Sequence, residues 1–259
     1  MRRLYAHKPS IKPSATHVVI TLTTAGPLTT EEQQDDKPYE PDTDAPCRYV
    51  SIRAAPEARG THVQLWEGGT LLCRYLEEIA HTLPTLNILE LGAGLGACGI
   101  KAIALGAKHV VLTDLPEAMP ILECNVRRNL TTSELQRAST CAYTWGQSRA
   151  DLQAVHPHPF DLILCGDLVY HPELVRPLLD ALDALAPNDA TAALLACRSR
   201  PGKMPQQEAV LTGLQALGFR LTRVAVDCTQ RGTYLVRARR PTKRRRAFSC
   251  LRRRWQGSV

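Results

Sequence analysis

Three glycines at alternate positions, Gly92, Gly94 and Gly96, follow an acid in the stretch Asn87-Ile88-Leu89-Glu90-Leu91-Gly92-Ala93-Gly94-Leu95-Gly96. Glycine lets the main chain turn sharply and lets a ligand approach where a Cβ would collide. The apolar run before the turn reads as a strand. The residues after it, with Ile100, Ile103 and Ala104, read as a helix. Such a turn, with free N–H groups at the helix start, lies at the carboxyl edge of an open α/β sheet, where ligands bind. Asp114 follows Gly94 by 20 residues and ends the next apolar run. A carboxylate there can accept both hydroxyls of a ribose, or it can cap the next helix. Asp167 and Tyr170 follow a later buried run at the same edge. They read as an Asp-x-x-Tyr facing a bound ligand, or as a helix cap with a packed tyrosine.

The Gly-x-Gly-x-Gly spacing departs from the dinucleotide fingerprint Gly-x-Gly-x-x-Gly. A pyrophosphate binds bare amides, whereas an acid such as Glu90 beside the turn suits a ligand with positive charge. S-adenosylmethionine, with its sulfonium and amino groups, is such a ligand; a plain connecting turn is the alternative. No Asn-Pro-Pro-Tyr stands at the Asp167 position, and no serine elbow or cysteine–histidine pair suggests acyl transfer.

These residues need a scaffold of strands and helices in alternation. Strands are expected at 86–91, 109–113, 139–143, 160–165, 191–197, 220–226 and 232–239. Helices are expected at 97–105, 117–129, 172–185 and 205–217, with Gly106 and Gly218 as helix-ending glycines. The pattern predicts a Rossmann-like, doubly wound α/β sheet. The closing strand–helix–strand–strand run predicts a seven-stranded sheet whose last strand inserts antiparallel. Trp66 precedes an amphipathic helix with Leu71, Leu72, Tyr75, Leu76 and Ile79; it reads as a core aromatic or as a lid near an adenine. Residues 1–60 form a small β extension, with strands at 17–24 and 48–53 and a loop at 26–46. That loop is rich in Pro, Thr, Asp and Glu, and is expected to be mobile and of low structural content. The main domain is expected over 61–240, and a basic, disordered tail over 241–259.

Composition limits the function classes. At 259 residues and 44% hydrophobic, the chain can bury a full core. No run is long and apolar enough to span a membrane. The nine cysteines are scattered and include no Cys-x-x-Cys pair. They are expected to be free thiols in a reducing, cytoplasmic compartment, with no zinc site and no other metal. His156-Pro157-His158-Pro159 reads as a loop and structural punctuation. The tail holds seven basic residues and no acid, so the rest of the chain balances its 25 acids. The body therefore has no basic excess of the kind that binds nucleic acid. For the tail, three readings stand: Lys243–Arg246 as a nuclear-targeting or acidic-partner segment, nucleic-acid contact with Phe248 and Trp255, or a solvated tail.

Taken together, several motifs resemble the methyltransferase-like protein-lysine methyltransferases, seven-stranded enzymes that modify chaperones, elongation factors and similar targets. They are Glu90 to Gly96, Thr113-Asp114, Asn125 with Asn129, Thr144-Trp145-Gly146-Gln147, Phe160-Asp161-Leu162-Ile163-Leu164, Asp167-Leu168-Val169-Tyr170 and Leu194-Leu195-Ala196-Cys197-Arg198. Trp66 and the Leu72 to Leu76 helix match at the family's spacing, and the likeness covers residues 48–239. It implies an S-adenosylmethionine site lined by Trp66, Gly92, Gly94, Asp114 with Leu115 beside it, Trp145 and Gly166, with Glu90 preceding the turn. It also implies that Asp167 and Tyr170 lie at a channel for a lysine of a protein substrate. Gly166 departs from the alanine common in the family, and neither the 26–46 loop nor the basic tail has a counterpart there. Another acceptor, such as a protein histidine or a small molecule, and a binding protein without turnover are the alternative functions.

Overall fold

A run of short apolar strands needs helices on both sheet faces to leave water completely. The computed structural model describes residues 17–22, 30–33, 48–53, 66–148, 150–198, 205–226 and 232–242. The rest of the 26–46 loop and the tail from residue 243, with the three readings given to it, lie outside the described residues.

Five parallel strands form most of the sheet: β4 (Asn87–Leu91), β5 (His109–Asp114), β6 (Ala138–Ala142), β7 (Leu162–Cys165) and β8 (Ala192–Arg198). β9 (Arg220–Val226) and β10 (Thr233–Arg239) complete a seven-stranded sheet of order β6-β5-β4-β7-β8-β10-β9. β10 runs antiparallel to both neighbours, as the closing pattern predicts. β4 and β7 are adjacent and parallel, Leu91 opposite Cys165, so the glycine turn and the Asp-x-x-Tyr leave the sheet side by side.

α1 (Glu67–Glu78), α2 (Ala97–Ala104) and α3 (Met119–Asn129) cover one face, where Leu72, Leu76, Ile100 and Ile103 bury against Ile88, Val110 and Leu112. α6 (Val175–Leu185) and α7 (Pro205–Ala216) cover the other, with Leu178, Leu182 and Leu214 on Leu89, Ile163 and Leu195. Two one-turn helices, α4 (Thr132–Leu135) and α5 (Ala150–Val155), fall outside the predicted elements, because one turn gives too few residues for a period to register. α4 carries a capping box in which the Thr131 hydroxyl accepts from Glu134 N and the Glu134 carboxylate accepts from Thr131 N. The helix expected over 172–185 is divided into a 3-10 turn, Pro172–Leu174, and α6. α3 begins at Met119 rather than residue 117, because residues 115–118 first close a turn through Ala118 N to Leu115 O at 2.9 Å.

The structure adds to two expectations. β1 (His17–Leu22) pairs antiparallel with β3 (Arg48–Arg53), but also with β2 (Thr30–Gln33), which lies within the loop expected to be of low structural content. Pairing satisfies backbone groups whatever the side chains, so a polar Thr-Glu-Glu-Gln run can be an edge strand. His156 stands in the loop before β7 yet is buried rather than mere punctuation. Its ring stacks on His109 at 4.8 Å and on Phe160 at 5.2 Å. Burial pushes its pKa down, with the His109 ring adding to the shift, so the folded state favours neutral His156.

The α1–α2 packing sets where the site's front wall stands. Lys101 of α2 is fully buried and pairs with Glu77 of α1, while Cys98 Sγ contacts Gly69 O at 3.5 Å. Removing one partner of a buried ion pair is strongly destabilising, whereas replacing both with apolar groups can be neutral. Glu77→Leu is therefore expected to lower unfolding free energy by about 3 kcal/mol, and Glu77→Leu/Lys101→Met to recover most of it. Urea denaturation of the three proteins checks this; equal stability of the single and double variants would contradict it.

Candidate active site

The glycine turn is built as the sequence requires. Gly92, Gly94 and Gly96 have φ of +59°, +55° and +82°, a region that side chains with a Cβ avoid. Gly94 N donates to Asp114 Oδ2 at 2.6 Å and Leu115 N to Asp114 Oδ1 at 2.7 Å. Asp114 therefore does not cap α3, whose N-cap is Ala118. Its carboxylate instead ties the tip of β5 to the turn after β4. Leu115 contributes its backbone N–H to that arrangement. Trp145 follows β6 and reaches the same turn, since a Cβ on Gly92 would lie 3.3 Å from its Cζ2.

Glu90 takes a different place from the one its charge suggested. It is buried and its Oε2 accepts from Gly99 N at 2.8 Å, inside the first turn of α2. Burial pushes its carboxyl up to about 8, against the lowering effect of the Gly99 N–H. At neutral pH the group is mostly protonated and serves the turn from behind. The negative charge that faces the sheet edge belongs to Asp114 and Asp167.

Asp167 leaves β7 with φ of +54°, the one left-handed non-glycine residue among the described residues. Its Oδ2 accepts from Gly68 N at 2.9 Å, a contact across 99 residues of sequence. Gly68 lies in the first turn of α1, where backbone N–H groups have no partner within the helix. Asp167 is thus a helix cap after all, but for α1 rather than for the helix that follows it. Trp66 is the N-cap residue of α1 and half-buried, two residues from this contact. A Cβ on Gly68 would lie 2.7 Å from Ala196 Cβ and 2.8 Å from Asp167 Cγ, so only glycine lets β8, α1 and Asp167 meet. A Cβ on Gly166 would meet Gly69 Cα and Leu72 Cδ1 at an ordinary 3.6 Å. The alanine common in the family would therefore fit there. Tyr170 is half-buried, with its ring edge-on to His171 at 5.0 Å.

All ten residues named from the sequence thus stand at or behind one sheet edge, and Glu90 is turned inward. Two contributors carry no sequence signal strong enough to find them. Gly68 touches Asp167 only through the fold, and Gln206 of α7 donates from Nε2 to Tyr170 O at 3.4 Å. The donor set fits a bound nucleoside: a carboxylate at the tip of the second strand for the ribose, and an indole over the glycine turn for the base. Among the described residues no group of three or more His, Cys, Asp or Glu is placed to hold a metal.

The strand order with its antiparallel insertion, the glycine turn after β4 and the carboxylate at the tip of β5 define a class I methyltransferase. The chain belongs to the lysine methyltransferase family, whose model matches residues 50–212. It is 37% identical over 151 residues to mouse protein N-lysine methyltransferase METTL21A, covering 58% of this chain and 67% of that protein. It is 34% identical over 179 residues to the Danio rerio protein of the same name, covering 69% and 78%. Over 123 residues it is 34% identical to EEF1A lysine methyltransferase 3 of Xenopus tropicalis, covering 46% and 52%. Among solved structures, magnesium protoporphyrin IX methyltransferase from Synechocystis, which has bound SAM, shares the fold with a TM-score of 0.50 at 18% identity, over 67% of this chain and 78% of that one.

Two predictions come from this geometry. Because the folded-state pKa of Glu90 is raised from 4.5 to about 8, the folded state binds the extra proton between those values, and stability falls as pH rises through that window. Glu90→Gln keeps an oxygen for Gly99 N and is expected to remove up to about 1.4 kcal/mol per pH unit of that decline. Denaturation curves for both proteins from pH 5 to 8 read the difference, and parallel curves would refute the assignment. Gly68→Ala is expected to displace Asp167 and cut methyl transfer on the order of 10²-fold, while Gly166→Ala stays within about twofold of the native rate. Comparable losses in the two variants would contradict the contact geometry.

Proposed function

We propose that the protein transfers a methyl group from S-adenosylmethionine to the ε-amine of a lysine in a protein substrate, such as a chaperone or an elongation factor. The observation that carries this reading is that Asp114 ends β5 and Asp167 follows β7, the two strands that flank β4 and its glycine turn. Family membership and the relatives' names support the lysine acceptor. The six described cysteines are all free thiols, in keeping with a reducing, cytoplasmic setting.

In this reading Asp114 holds the ribose hydroxyls, and Gly92, Gly94 and Leu115 bring the backbone close enough to the cofactor for direct contact. Trp66, Trp145 and Gly166 shape the walls. The bound cofactor would supply a methyl on a sulfonium, a good leaving group, so the protein has only to align the acceptor and exclude water. A lysine in water is protonated at neutral pH. Entry beside the half-buried Tyr170 ring removes water and lowers the amine's pKa toward the neutral, attacking form. Asp167, fixed by Gly68 and by its left-handed backbone, orients the amine by accepting from one of its N–H groups. A side chain held in a sparsely populated backbone region is a mark of a functional position.

The decisive experiment incubates the protein with isotope-labelled S-adenosylmethionine and cell extract, then identifies the labelled residue by mass spectrometry. Label on a lysine is expected. Label on histidine or on a small molecule would overturn the acceptor, and no label with no cofactor binding would overturn the enzyme reading. Asp167→Ala is expected to lose at least about 10²-fold in transfer while keeping its affinity for S-adenosylhomocysteine. Unchanged turnover in that variant would remove Asp167 from the mechanism.

A further inference from the structure

α7 places the side-chain amide of Gln206 against the Asp-x-x-Tyr loop. Its Nε2 donates to the Tyr170 carbonyl at 3.4 Å. That contact fixes which way the amide faces, because the opposite orientation would set carbonyl against carbonyl. Oε1 is therefore turned away from Tyr170 O. It is shielded from water and has no hydrogen-bond donor among the described residues. Buried polar atoms almost always have partners, and an orphan calls for an explanation, a catalytic role being one. The second such atom among the described residues, His156 Nε2, lies in the loop before β7 and thus at the opposite sheet edge.

The chemistry of the reaction names the missing donor. A neutral lysine amine has one lone pair and two N–H groups. The lone pair must point at the methyl carbon, so the N–H groups need acceptors in a place that excludes water. Asp167 can take one. A second carboxylate would hold the amine as an unreactive ammonium. A neutral amide oxygen orients the other N–H without adding charge, and Gln206 supplies one beside the same loop. We propose that Gln206 Oε1 accepts a hydrogen bond from the ε-amine of the substrate lysine, making Gln206 an acceptor-binding residue of the site. This assignment rests on the lysine-methyltransferase reading above.

The test needs no knowledge of the protein substrate. Two S-adenosylhomocysteine analogues are compared by calorimetry, each carrying a short alkyl arm in place of the transferred methyl. One arm ends in a primary amine and the other in a methyl group. The native protein is expected to prefer the amine arm. Gln206→Leu should bind S-adenosylhomocysteine within about twofold of native but lose about tenfold of that preference, the effect of one hydrogen bond. Gln206→Glu cannot donate to Tyr170 O yet still offers an acceptor, so it should keep or increase the preference. Full preference in Gln206→Leu would overturn the proposal. So would an equal loss in Gln206→Glu, which would mean that Gln206 acts only by tethering Tyr170. A native protein that binds S-adenosylhomocysteine but shows no preference would overturn the lysine reading itself, and one that binds neither would overturn the cofactor reading.

Discussion

The hydrogen bond from Gly68 N to Asp167 joins the three parts on which the site depends. It closes the open N-terminus of α1, holds Asp167, two residues beyond β7, in a left-handed conformation and brings both against β8 at Ala196. A carboxylate at a helix N-terminus meets unpaired N–H groups and the positive end of the helix dipole. That stabilisation offsets the cost of the unfavourable backbone angle at Asp167. The arrangement holds only because residue 68 is glycine, since any Cβ there would collide with Asp167 and with Ala196.

Three carboxyl groups near the glycine turn have separate fates, and environment alone separates them. Glu90 is buried behind the turn, where desolvation keeps it protonated to about pH 8 and its oxygen serves Gly99 N. Asp114 sits partly open at the strand tip with two backbone donors, Gly94 N and Leu115 N. Asp167 caps α1 through Gly68 N. One acid thus serves α2 behind the turn, a second ties the tip of β5 to the turn, and a third ties the chain after β7 to α1. The same side-chain chemistry takes a different state and different partners according to how much water and how many N–H groups surround it.

Much of this was legible in the chain. The strand–turn–helix at Asn87 to Ala104 follows from an apolar run, three glycines and a helical period, all local signals, and the alternation of elements predicts the parallel sheet and its antiparallel last insertion. Elements without a local period were not legible. α4 and α5 are single turns, and β2 is a polar segment that becomes a strand only because β1 offers it a partner. Glu90 was legible as an acid beside the turn but not as a neutral one, since a pKa depends on burial by residues far away in sequence.

By itself the sequence determined the sheet, the glycine turn and the acids at the strand ends, because these rest on periodicity, backbone freedom and spacing along one chain. It also set the family, because the combination of motifs is carried by residue identity. Only the tertiary structure decided that Asp114 serves the turn and not α3, that Asp167 caps α1, that Glu90 faces inward and that Gln206 meets the Tyr170 loop. Each of those contacts joins residues 9 or more positions apart, the Asp167 contact 99 apart and the Gln206 contact 36. Which donor finds which acceptor over such separations is set by packing the helices on the sheet, and no local pattern encodes it.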